Sequence, residues 1–400
     1  MLTTFWVLYN FVGLNPLPYH LLNVVIHSAS AILLWRVLQL LQVRGAWLGA
    51  ALWALHPVMV QSVAWVTELK NTQSCLFYLL SIFFFLRCED APQPRSGSFS
   101  TAAGALKKAP FLVSLLFFIL ATLSKPSVVM LPFVLALCIW WIRGKIRWRD
   151  ALLVVPFAVV SALASAWTIW EQKFHARAVG IDWAQTLPER FIIAGRAIWF
   201  YLSKLIWPNP LIFIYPRWDI HPTLLLAWLP LLGALILLAL IWSAATRRRF
   251  QIADISAHPK ASWSRAVFFA AAYYVVSLFP VLGFFSVYFF RYSFVSDHFQ
   301  YLASMGPIAL AGAGLATFAA RLWETPIELQ GRAVSQPPRV LKKATLFAAC
   351  SLLLLLLGFL TWRQTTQYPV LNALYTATLK KYQVCWMAHY NLGYLPSEQC

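Results

Sequence analysis

The chain has 400 residues, of which 60% are hydrophobic, 16% aromatic and only 11% charged. An ordinary soluble domain carries about 25% charged residues, so this composition excludes a water-soluble globule and indicates a polytopic helical membrane protein. The formal net charge of +19 does not point to nucleic acid, because the basic residues sit in short loops between apolar runs, where they set membrane topology.

Residues 1–20 lack the basic start of a signal peptide and are interrupted by Trp6, Tyr9, Asn10, Gly13, Asn15 and Pro16. They read as a loop that enters the first span. Membrane spans are expected at about 21–41, 46–58, 72–87, 109–123, 127–143, 151–170, 222–243, 264–285, 303–320 and 344–361. Five connections are basic. They hold Arg36 and Arg44; Arg87, Arg95, Lys107 and Lys108; Arg143, Lys145, Arg147 and Arg149; Arg247, Arg248, Arg249, Lys260 and Arg265; and Arg321, Arg332, Arg339, Lys342 and Lys343. If the spans alternate, all five lie on one face, which is then cytoplasmic. Both termini, 59–71, 124–126, 171–221 and 286–302 fall on the other face.

The chain thus divides into an extracytoplasmic loop (1–20), a transmembrane domain (21–361) with an extracytoplasmic amphipathic segment (171–221), and an extracytoplasmic tail (362–400). The fold class is all-α: a polytopic helix bundle of about ten spans with the start of a helical-repeat tail. The linkers 88–108 and 244–263 read as solvated loops. Cys75, Cys88, Cys138 and Cys350 read as packing residues, whereas Cys385 and Cys400 could pair outside a reducing compartment.

Chemistry-bearing residues collect on the extracytoplasmic side. Between apolar runs, 55–71 carries a His56–Pro57 break, then Gln61, Glu68, Lys70 and Asn71. Irregular backbone and charges at a bilayer surface suggest a site. An ordinary loop with snorkelling charges explains them equally well. On a helical wheel of 188–207, Phe191, Ile198, Leu202, Leu205 and Ile206 share one side, and Glu189, Arg190, Arg196, Ser203 and Lys204 the other. This is an interfacial amphipathic helix whose cations either sit among headgroups or bind a lipid phosphate. Arg217 follows among aromatics in 214–219. Arg291, Asp297, His298 and Tyr301 crowd into 291–301, as a site or as an aromatic belt with incidental charges. In the tail, 388–394 matches the opening of a tetratricopeptide repeat.

These pieces, in this order, resemble one family. The motifs are Gly13-Leu14-Asn15-Pro16 with Tyr19 through Asn23 and His27; His56-Pro57 through Lys70-Asn71; Ser124-Lys125-Pro126 with Leu131-Pro132; Phe200 through Lys204 with Pro208 and Tyr215-Pro216; Asp297 through Leu302; and the repeat start. The set is similar to that of bacterial membrane glycosyltransferases with tetratricopeptide repeats. These are close to the animal transmembrane and tetratricopeptide-repeat O-mannosyltransferases and belong to the glycosyltransferase C superfamily.

The resemblance implies transfer of mannose or another hexose from a polyprenyl-phosphate donor to an extracytoplasmic acceptor, a protein Ser/Thr or a glycan, at a bacterial inner membrane. It also implies an acid that acts as general base or binds a divalent cation, with ligands the sequence does not name. Glu68 and Asp297 are the acid or orienting candidates, and His56 joins them as a catalytic candidate or a structural histidine. Arg190, Arg196, Lys204, Arg217 and Lys125 are the lipid-phosphate candidates. Gln61, Lys70, Tyr215, His298 and Tyr301 occupy further motif positions.

The sequence departs from the family at four points, one of them Leu69, which stands where the family has a basic partner after Glu68. The family's first acidic loop lies upstream of residue 1, so the chain reads as truncated at both ends. Gln61 stands at a usually acidic position, and His298 where many relatives have Arg. An impaired enzyme, or a non-catalytic membrane scaffold that binds lipid and presents repeats, therefore stays open. A transporter is disfavoured by the few polar residues at span centres.

Overall fold

The structure, a computed structural model, describes residues 1–89, 101–247, 263–324, 328–329, 332–333 and 339–394. Cys400 and most of the two linkers, including Arg95 and Lys260, lie outside the described residues.

Fifteen α-helices follow one another among the described residues: α1 (Leu2–Val12), α2 (Pro16–Leu40), α3 (Ala46–Ala54), α4 (Val60–Ala64), α5 (Leu69–Glu89), α6 (Thr101–Ser124), α7 (Leu131–Arg143), α8 (Trp148–Phe174), α9 (Leu187–Ile206), α10 (Leu225–Arg247), α11 (Trp263–Leu278), α12 (Met305–Glu324), α13 (Arg339–Thr365), α14 (Leu371–Lys381) and α15 (Trp386–Tyr394). The fold is an all-α membrane bundle. Among the described residues seven segments are long and apolar enough to cross a bilayer alone, and the pair α3 with 57–64, bent by 51°, makes an eighth. The expected spans at 109–123 and 303–320 are helices, α6 and α12, but fall outside this set, so the described residues give seven or eight spanning candidates rather than about ten. A two-residue ladder pairs Glu328–Leu329 with Arg332–Ala333.

Helices approach closely where residues are small, as expected when lipid supplies no hydrophobic drive between them. A Cβ on Gly312 of α12 would lie 2.6 Å from the Gly49 backbone of α3. Ser81 of α5 and Ser114 of α6 donate to each other's carbonyls at 2.8 and 2.7 Å. Trp53, Phe85, Phe118, Phe157 and Leu131 fill the centre of the bundle.

The His-Pro break opens the backbone between α3 and α4, and side chains satisfy what it exposes. His27 Nε2 donates to the Ala54 carbonyl at 3.0 Å, and its Nδ1 accepts from Tyr301 Oη at 2.7 Å. Thr361 Oγ1 of α13 donates to the Leu55 carbonyl at 2.7 Å. The broken span is therefore built in, and it turns 57–71 across one end of the bundle.

Two expectations change. Residues 1–20 are helical rather than a loop: α1 ends at Gly13, and Asn15 caps α2 through its side chain. The segment 188–207 is indeed one helix, but its expected apolar side packs only in part: Ile198, Leu202 and Leu205 lie against the core, and the fully buried face is a neighbouring one. Ile192, Ile193, Ala194, Gly195, Ala197 and Tyr201 are buried, whereas Phe191 and Ile206 are exposed. Small residues let α9 approach α10, so a Cβ on Gly195 would lie 2.6 Å from the Leu231 backbone. Phe191 and Ile206 are left to face outward.

Candidate functional site

Four segments meet at the end of the bundle where the broken span turns: 56–71, Lys125 with its following turn, 204–217, and 293–300. The tail helices α14 and α15 pack over them through Phe213, Ile214, Leu374, Tyr375, Cys385 and Ala388, with Trp65 and Tyr292 alongside.

Glu68 anchors the first cluster. Its side chain is 1% exposed. Oε1 pairs with Lys70 Nζ at 2.8 Å, and Oε2 lies 3.7 Å from Lys125 Nζ. Oε2 also accepts from Asn71 Nδ2 at 2.7 Å. Asn71 Nδ2 lies 3.1 Å from both Ser62 Oγ and the His298 carbonyl, and Lys125 donates to Asn71 Oδ1. A buried carboxylate persists only when paired and hydrogen-bonded. Two lysines against one glutamate leave the cluster net positive, which suits an anion.

Gln61 links the clusters. Its Oε1 accepts from the His298 amide at 2.8 Å and from Ser296 Oγ at 3.1 Å, while Nε2 donates to the Phe213 carbonyl at 3.3 Å. A carboxylate could make the first two bonds but not the third. Ser296 Oγ also lies 2.8 Å from His298 Nδ1. Burial drives the His298 pKa down to about 3, against the pull of Glu68, so its imidazole is neutral.

Asp297 forms the second acid centre. Tyr215 Oη donates to its carboxylate, 2.9 and 3.1 Å from the two oxygens. Burial pushes the Asp297 pKa up to about 7, opposed by that hydrogen bond and by the fields of Lys204 and Lys381. A carboxyl group with this proton affinity exchanges protons at neutral pH. Lys204 Nζ donates to the Pro210 carbonyl at 2.8 Å and lies 5.5 Å from the Tyr215 ring centre.

The lipid-phosphate candidates on α9 do not converge. Arg190 points inward and donates to the carbonyls of Trp183, Gln185, Gly283 and Phe284 and to Ser286 Oγ. Arg196 is exposed over the Trp218 ring at 4.7 Å. Arg217 pairs with Asp182 at 3.1 Å, and Arg291 reaches the same carboxylate at 3.4 Å. Arg190 and Arg217 are thus fasteners of the 181–191 segment. His56 uses both nitrogens on backbone, accepting from the Val58 amide at 3.3 Å and donating to the Leu205 carbonyl at 3.0 Å. Tyr301 lies in the bundle core against His27 and Trp53. Lys125, Lys204, Lys70, Glu68 and Asp297 remain at the site.

Sequence reasoning missed Ser296, Lys381 and Arg363. Lys381 of α14 donates to the Leu211 carbonyl at 2.8 Å and lies in the field of Asp297. Asn71 stood in a motif, and its position three residues after Glu68 on a helical turn was a usable signal. Among the described residues no three His, Cys, Asp or Glu side chains are grouped so as to hold a metal ion. The two acids are instead each surrounded by lysines, so these residues do not fit the expected divalent cation.

No protein-family model matches the chain, and no solved structure matches it. Over 81 residues it is 35% identical to Protein O-mannosyl-transferase tmtc2 of Xenopus laevis, covering 20% of this chain and 10% of that protein. Over 77 residues it is 34% identical to Protein O-mannosyl-transferase TMTC2 of Mus musculus and 36% identical to Protein O-mannosyl-transferase Tmtc1 of Drosophila melanogaster. Those stretches cover 19% of this chain and 9% of each relative. The matched stretch therefore spans about a tenth of the length of these curated relatives.

Proposed function

We propose that the chain belongs to a membrane glycosyltransferase that moves a hexose, such as mannose, from a polyprenyl phosphate to an acceptor hydroxyl on the extracytoplasmic side of a bacterial inner membrane. The local similarity to protein O-mannosyl-transferases supports the reaction class. The observation that carries the reading is Asp297, a buried acid of near-neutral proton affinity beside lysines at the loop end of a membrane bundle.

In the proposed step Asp297 takes the acceptor proton as the acceptor oxygen bonds to the anomeric carbon. The bond from that carbon to the phosphate oxygen breaks, and polyprenyl phosphate leaves with the electron pair. Lysines at the site hold its charge. Glu68 stays ionised between Lys70 and Lys125 and orients them. Asp297 is 3% exposed, so the residues that cover it must move to admit the acceptor.

That burial also favours a second reading, a lipid-binding scaffold without chemistry. Membranes containing the full protein, given a labelled polyprenyl-phosphate hexose, separate the two. The transferase reading expects label on an acceptor, lost in the isosteric Asp297→Asn. Equal transfer by Asp297→Asn removes Asp297 as the base, and no transfer by the wild type leaves the scaffold.

A further inference from the structure

The membrane-crossing part of α13, Ala348–Thr365, has none of its residues buried in protein. Beside it lies an open groove of about 690 Å³, lined chiefly by Leu55, Leu354, Leu355, Gly358, Phe359 and Trp362. A Cβ placed on Gly358 would meet nothing within 4 Å. A mid-helix glycine weakens a helix and here makes no close backbone approach that would require it. What glycine does provide is depth in the groove.

The groove ends at the functional site. One residue beyond Trp362 is Arg363, and Gln364 Nε2 donates to the Leu211 carbonyl at 3.5 Å. The same carbonyl accepts from Lys381 Nζ at 2.8 Å, and the preceding one, of Pro210, accepts from Lys204 Nζ at 2.8 Å. Lys381 lies in the fields of Asp297, Arg363 and Lys204. Lys204 and Lys381 both act on the Asp297 carboxyl group, and Arg363 acts on Lys381. Each lysine gives one of its three N–H donors to a carbonyl and keeps two.

An apolar trough inside the bilayer that ends in excess positive charge matches an amphiphile with one long hydrocarbon chain and an anionic head. We infer that the groove along α13 holds the chain of a membrane-borne polyprenyl phosphate, with its phosphate at Lys381 between the fields of Lys204 and Arg363. The inference rests on the proposed function, for which it locates the donor lipid. It also gives the tail helix α14 a residue in the site, so that docking of the tail completes the anion pocket.

The test uses the full protein in phosphatidylcholine nanodiscs, titrated with sugar-free polyprenyl phosphate, with the neutral polyprenol, and with dioleoyl phosphatidic acid. Gly358→Trp fills the groove in open space without removing a contact, so the helix is retained, and Leu356→Trp, at an exposed position of α13 outside the groove, is the control. Polyprenyl phosphate is expected to bind saturably and to lose about tenfold in affinity in Gly358→Trp and in Lys381→Gln, since a charge-assisted contact is worth that much. Leu356→Trp is expected to bind as the wild type does. The inference is overturned if Gly358→Trp binds normally, if polyprenol binds as tightly as its phosphate, or if phosphatidic acid binds equally well. A hexose-transfer assay on the same discs keeps the two claims apart. Groove-dependent binding without transfer upholds the lipid site and rejects the transferase. Transfer that Gly358→Trp leaves untouched does the reverse.

Discussion

Gln61 and His298 are joined across 237 residues of chain by a 2.8 Å bond from the His298 amide to Gln61 Oε1. The Gln61 Nε2 bond to the Phe213 carbonyl then ties in a third segment. An amide is the side chain that can accept from one neighbour and donate to the other at once. At this position it works as a clamp between the two acid centres.

Replacing Gln61 by Glu should therefore weaken the protein and create no new base. The carboxylate would face the Phe213 carbonyl with no proton to give, in a site only 2% exposed. The expected loss is about 1–3 kcal/mol, the cost of leaving a buried polar group unpaired. It reads out as a lower midpoint of thermal unfolding in detergent. An unchanged midpoint with increased hexose transfer would reject the clamp.

Asp297 should make stability depend on pH. Its carboxyl pKa rises from an ordinary 3.8 to about 7 in the folded protein. Between those values the folded state binds the proton and the unfolded state does not. The contribution is thus fully present below about pH 4 and is lost as pH rises through about 7, by roughly 4 kcal/mol in total. Asp297→Asn should flatten that part of the stability profile. Hexose transfer should instead increase through pH 7, since the base acts only when deprotonated. A wild-type stability curve with the slope of the Asn variant would contradict the buried, proton-holding carboxyl.

Gly195→Ala should separate α9 from α10. The added Cβ would sit 2.6 Å from the Leu231 backbone, which cannot rotate away. Overpacking of this kind costs about 1–3 kcal/mol. Because Lys204 rides on α9, loosening should also lower the affinity for polyprenyl phosphate. Unfolding midpoints and lipid titrations of the variant measure both effects.

The bundle was legible because long apolar runs permit little but membrane helices, and the α9 boundaries differ from the expected 188–207 by one residue. Its facing was legible only in part: Ile198, Leu202 and Leu205 do pack on the core. In water Phe191 and Ile206 would turn inward too, but beside lipid they turn outward and the small Ala194 and Ala197 take the contact. Arg190 therefore pointed the wrong way in the wheel. Glu68, Lys125 and Asp297 were found because charges beside apolar runs are conspicuous. Lys381 carried no such signal, since it reaches Leu211 only through folding of the tail across the loops.

The lysine pairing of Glu68 can be dissected by a mutant cycle. Lys125→Met removes the cation 3.7 Å from Glu68 Oε2 and one donor to Asn71, leaving a buried carboxylate with Lys70 as its remaining lysine partner. Breaking a buried pair from one side costs about 3–5 kcal/mol, because the other charge is stranded. Glu68→Gln alone strands Lys125 in the same way. The double variant removes the stranded charge and keeps the Asn71 contact through the new amide, so it should be more stable than the sum of the singles by about 1–3 kcal/mol. Unfolding midpoints of all four proteins give this coupling. If the effects simply add, the two residues do not form a pair, and Glu68 must draw its stabilisation from Lys70 and Asn71 alone.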